Sequence, residues 1–122
     1  MKFDSVTERI TFFVALLGIH VLALLPVSRL KDFGLDIGLH YDKLNHGIAF
    51  AVLMFVGSLG WSDRKATLIV SLALLGAVIE LLQGSPVIRR DIDGLDWAAD
   101  CIGIAGGLVV VSCTSLLARR EA

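Results

Sequence analysis

The chain has little of what interrupts, cross-links or heavily charges a fold: two cysteines, two prolines and a net charge of −1 in 122 residues. Cys101 and Cys113 fall in one predicted helix, about three turns apart, so they cannot bridge one another. They read as small buried residues and leave the redox compartment open. Pro26 closes the first apolar run and Pro86 falls in the turn after the third. No tract of basic residues interleaves with aromatics, so the electrostatic footprint of a nucleic-acid binder is missing and no such partner is expected. A signal peptide is a poor fit, because Met1–Arg9 is mixed in charge and no small-x-small cleavage site follows cleanly. The first apolar run is therefore expected to be a retained helix.

What the chain does have is apolar length. It is 56% hydrophobic, with a mean hydropathy of +0.79, and its charges are bunched between uncharged runs. At about 1.5 Å of rise per residue, runs of roughly 17–25 residues can cross about 30 Å of hydrocarbon as helices. The pattern predicts four of them, at about 10–27, 43–61, 66–83 and 97–118. The second has only 15 uncharged residues, from Gly47 to Trp61, so it is expected to begin near Asp42 or Lys43. Residues 28–41 mix charges with apolar residues and suit either a segment lying on the membrane surface or a solvated loop. The expected fold is one all-α domain over 1–122, an integral membrane four-helix bundle that crosses the membrane several times. Arg64, Lys65, Arg119 and Arg120 sit directly at helix ends, which favours both termini on the cytoplasmic side.

On that topology Asp42, Lys43, His46, Glu80, Gln83, Asp96 and Asp100 fall at one membrane face, contributed by three helices. The stretch from Glu80 to Gly107 supplies most of them, including Arg89, Arg90, Asp91 and Asp93 of its charged loop. At about 100° per residue, Asp96, Asp100, Gly103 and Gly107 share an arc of roughly 60°. Glu80 and Gln83 share another face, with Gly76 a turn below. Ionisable groups inside or at the lip of a bilayer are costly and face a partner or a water-filled cavity. Simpler roles stand beside this reading: Asp96 as a first-turn acid favoured by the helix dipole, Arg89 or Arg90 as a structural ion-pair partner, His20 as a hydrogen-bonded packing residue. Gly103-x-x-x-Gly107 permits close approach, by a neighbour in the same chain or by a second copy in a homodimer.

Three motifs carry a family resemblance: Asp42-Lys43-x-x-His46, Glu80-x-x-Gln83, and Arg90-x-x-Asp93-x-x-Asp96-x-x-x-Asp100-x-x-Gly103-x-x-x-Gly107. In this order they resemble the VanZ-like family of small four-helix membrane proteins, over more than half the chain. The resemblance implies a multi-pass protein of a bacterial inner membrane, part of the cell envelope and linked to tolerance of glycopeptides such as teicoplanin, without an established reaction. One departure stands out: the acid Asp100 occupies a position where the family typically has Asn, which replaces a donor-acceptor by an acceptor and adds charge.

Three functional classes follow. The first is an outward-facing binding site for a lipid headgroup, a cell-wall precursor or the antibiotic, formed by Asp42, Lys43, His46, Glu80, Gln83, Arg90, Asp93, Asp96 and Asp100. The second is a membrane enzyme with His46 as general base and Glu80 as acid, in which Asp93, Asp96 and Asp100 would offer oxygen ligands to a metal. The third is a small transporter, disfavoured because the charges lie at the lip and not at the midplane.

Overall fold

The computed structural model describes residues 5–24, 32, 42–86 and 94–121, with backbone alone at 5, 42 and 43. They form four helices: α1 (Ser5–Leu24), α2 (Asp42–Gly60), α3 (Lys65–Gln83) and α4 (Gly94–Glu121). A 3-10 turn, Ser62–Arg64, joins α2 to α3. The all-helical expectation holds among the described residues. α1 is described from Ser5, five residues before the expected Ile10. The segment 28–41 lies outside the described residues apart from Asp32, which is exposed.

Three stretches are long and apolar enough to cross a membrane: Val6–Leu24, Ser62–Gln83 and Gly94–Glu121. The apolar part of α2, Leu44–Gly60, is shorter, about 25 Å of helix against roughly 30 Å of hydrocarbon. Its place in the bundle accounts for the difference in character. α2 is the central helix, packed most extensively on α4 and also on α1 and α3. It supplies Phe50, Leu53 and Met54, all buried, to a core completed by Phe12, Leu68, Leu72, Ile79 and Ile104.

The surface is greasier than the centre. Leu17, Leu74, Leu81 and Ile102 are exposed, the last at 72%, while His46, Ser58, Glu80, Gln83, Asp96 and Asp100 are buried. A water-soluble bundle would expose a contiguous apolar surface at a cost in solubility. In hydrocarbon the same surface costs nothing, and association rests on close packing and internal hydrogen bonds.

Small residues provide that packing where α2 meets α4. A Cβ on Gly103 would run into the Gly47 carbonyl, and one on Gly107 into the Ala51 carbonyl and Met54. The Gly103-x-x-x-Gly107 face is thus filled by Gly47-x-x-x-Ala51 of α2 in the same chain. A contact between two copies would have to use another face.

The end of the bundle opposite His46 is closed by an aromatic cluster. The Phe12, Phe13 and Trp61 rings meet edge-to-face, with centroids 5.3–5.7 Å apart. Arg9 lies 5.2 Å over the Trp61 ring. Its Nε donates to the Gly60 carbonyl at 2.8 Å, satisfying one of the orphan acceptors at the α2 C-terminus. His20 bonds Leu16 O through Nδ1 at 2.6 Å, in its own helix, as a packing residue would.

Candidate functional site

The polar end is assembled from the first turns of α2 and α4 and the last turns of α3. His46 of α2 and Asp100 of α4 meet directly, Nδ1 to Oδ1, at 2.8 Å. The His46 side chain is 9% exposed and that of Asp100 is 1% exposed. A carboxylate only accepts, so Nδ1 is the donor of this bond. The bond ties together residues 54 positions apart.

Gly76 makes room for this pair on the third side. A Cβ there would lie 2.7 Å from Asp100 Oδ2 and 3.4 Å from its Cβ and Cγ. The Asp100 carboxylate is therefore wedged between α2 and α3, and Oδ2, buried, has no hydrogen-bond partner among the described residues. By helix rise, Asp100 lies about 9 Å from the start of α4 and Gly76 about 10 Å from the end of α3. The His46–Asp100 pair thus sits inside the bundle, about two turns from the ends of α3 and α4.

The other acids lie nearer the helix ends on the same faces. Glu80 is one turn beyond Gly76 on α3, and Asp96 one turn before Asp100 on α4; both are 5% exposed. Since Gly76 touches Asp100 in an antiparallel pair of helices, moving one turn outward on each brings Glu80 and Asp96 to the same level. Each of the two acids is engaged in its own interaction. Asp96 belongs to the first turn of α4, so the dipole term expected for it applies as well.

Gln83, buried at 1%, does something sequence reasoning did not assign. Its Nε2 donates to the Ala23 carbonyl at 2.9 Å. Ala23 is in the last turn of α1, so Gln83 fastens α1 to α3. Trp97 ties α4 to α3 in a similar way, with Nε1 donating to Ala73 O at 2.9 Å.

Asp42 and Lys43 are in the first turn of α2, and their side chains lie outside the described set. Arg89, Arg90, Asp91 and Asp93 also lie outside the described residues. Among the described residues, no three His, Cys, Asp or Glu side chains group closely enough to hold a metal ion. Of the expected oxygen-ligand set, Asp96 and Asp100 are buried one turn apart on α4 and Asp93 is outside the described residues.

Two further residues were not singled out from sequence, Gly47 beside the site and Glu8 toward the opposite end of the bundle. Gly47, paired with Ala51, is the surface that receives α4, and its small-x-x-x-small spacing was the available signal. Glu8 is a buried acid of α1 whose Oε2 has no hydrogen-bond partner among the described residues; its position i−4 to the core residue Phe12 places it on the inward face.

Comparison with protein-family models, with curated proteins and with solved structures gave no match.

Proposed function

We propose that this chain is a VanZ-like protein of a bacterial inner membrane, with a polar binding site open to the outside and both termini in the cytoplasm. The ligand is a cell-envelope molecule: a lipid headgroup, a cell-wall precursor or a glycopeptide. The observation that carries the reading is the burial of His46, Glu80, Asp96 and Asp100 together at one end of the bundle, where, among the described residues, the other buried polar side chains are Gln83 at the same end and Glu8 and Ser58 elsewhere. Packing alone does not require these groups, since apolar side chains of similar volume would fill the space without the desolvation cost.

The chemistry of the site suits such ligands. Three carboxylates and a carboxylate-oriented imidazole accept hydrogen bonds from amine, amide and hydroxyl groups, which peptides and sugars of the envelope carry in number. Arg90, six residues before Asp96, is the proposed partner for a ligand carboxylate or phosphate, through bidentate hydrogen bonds.

Titration of the protein in lipid nanodiscs with a lipid-linked cell-wall precursor, and separately with teicoplanin, tests this reading. Binding to one of them, weakened at least about tenfold by Glu80→Gln or Arg90→Gln, is expected if each removes one charge-assisted hydrogen bond. Equal titration curves for wild type and both variants would remove the site from consideration. Teicoplanin susceptibility of cells expressing the same variants should follow the binding order.

A second reading, a membrane enzyme, is favoured by one observation: Asp100 accepts from His46 Nδ1, the orientation a general base needs. Turnover of the lipid-linked precursor, abolished by His46→Gln while binding persists, would establish it. Absence of turnover with binding intact would leave the binding role.

A further inference from the structure

Away from the polar end, α1 and α3 meet only lightly and leave a groove of about 290 Å³ between them. Phe13 and Leu16 of α1 form one wall and Leu72 and Leu75 of α3 the other, with Trp61 and Arg64 at the end. We propose that this groove is a binding site for one acyl chain of an anionic phospholipid, whose phosphate is held by Arg64.

Its length argues for this occupant. From Arg64 to Leu75 is eleven residues, about 16 Å of rise, which matches one leaflet of a hydrocarbon core about 30 Å thick. A chain entering at Arg64 therefore ends near the bilayer centre, as a lipid tail does. A helix from a partner is about 10 Å across with its side chains and needs a wider seat.

Polarity along the groove follows that of a phospholipid. Arg64 is at the helix boundary and exposed, and its guanidinium can grip a phosphate with two donors. Thr67, exposed and lining the groove, lies about one turn further in, the depth at which the ester carbonyls of a glycerolipid begin. Beyond it the walls become leucine, with Ser71 the one further hydroxyl. Trp61 marks the same level as an interfacial aromatic. Asp63 is exposed beside Arg64, but Lys65 follows, so the turn 63–65 carries two positive charges against one negative, a net +1.

The groove is independent of the His46 site, being at the opposite end of the bundle. Tryptophan quenching by lipids brominated on the acyl chain reads it directly. In Trp97→Phe, Trp61 is the sole tryptophan, since the chain has two. Brominated phosphatidylglycerol is expected to quench Trp61 at about fivefold lower mole fraction than brominated phosphatidylcholine, the preference one interfacial Arg confers. Arg64→Gln should bring the two curves together. Native mass spectrometry of the wild-type chain released from mixed-lipid micelles is the check that needs no tryptophan replacement; it should retain one phosphatidylglycerol, lost in Arg64→Gln. Identical quenching by the two lipids, or retention unaffected by Arg64→Gln, would overturn the proposal. So would a disulfide-linked dimer formed under oxidant by Ser71→Cys in a Cys101→Ser, Cys113→Ser background, because it would show a second copy seated in the groove.

Discussion

His46 Nδ1 and Asp100 Oδ1 stand 2.8 Å apart in the interior, joining the second turn of α2 to that of α4. The bond is buried and charge-assisted, a class worth about 1.5–3 kcal/mol net. A double-mutant cycle of His46→Ala and Asp100→Ala, read by denaturant titration in micelles, should give a coupling energy in that range. A coupling near zero would mean that the two side chains act independently.

The same pair depends on Gly76. A methyl group 2.7 Å from Asp100 Oδ2 has to displace the carboxylate, which has no space to retreat because Asp100 is fully buried. Gly76→Ala should therefore release the His46 ring, seen as a changed Nδ1–H signal in nitrogen NMR. Overpacking of this kind costs about 1–3 kcal/mol.

Adjacent glycines on α4 should behave in opposite ways. A Cβ at Gly106 meets nothing within 4 Å, whereas one at Gly107 meets the Ala51 backbone. Gly106→Ala should be neutral or stabilising by up to about 1 kcal/mol through helix propensity. Gly107→Ala should separate α2 from α4 and lower the thermal midpoint markedly, because a backbone carbonyl cannot rotate away.

Gln83 should prove structural even if it also touches a ligand. Gln83→Leu leaves the Ala23 carbonyl without its 2.9 Å donor, a loss of about 1–3 kcal/mol for a buried polar group. Faster proteolysis near the end of α1, with α2 and α4 still protected, would distinguish this from general unfolding.

Arg9→Gln tests the opposite end. It removes the donor to Gly60 O and the cation over Trp61, each worth about 0.5–2 kcal/mol. A shifted Trp61 fluorescence maximum should accompany the loss, while His46 signals stay in place.

Much of this was legible beforehand because the signals are local. Hydrophobic run length defined the helices, and 100° spacing put Asp96, Asp100, Gly103 and Gly107 on one face. That spacing left open what the face meets. Gly103 and Gly107 were compatible with a second copy or a neighbour, and the carbonyls of Gly47 and Ala51 answer for one chain. His46, Glu80, Gln83, Asp96 and Asp100 were all picked out as polar groups at one end, and all five are buried there. Their partners were not foreseeable: Gln83 reaches back 60 residues to Ala23.

The sequence by itself determined four helices, the apolar surface and the end of the bundle where the polar residues gather, because periodicity and charge clustering are properties of single segments. Only the tertiary structure decided that α2 is the central helix, that Asp100 is held between His46 and Gly76, and that the pair lies inside the bundle. Those facts depend on which face of one helix meets which face of another. That is settled by close packing across the interfaces, where a single Cβ on Gly76 or Gly103 would change the answer.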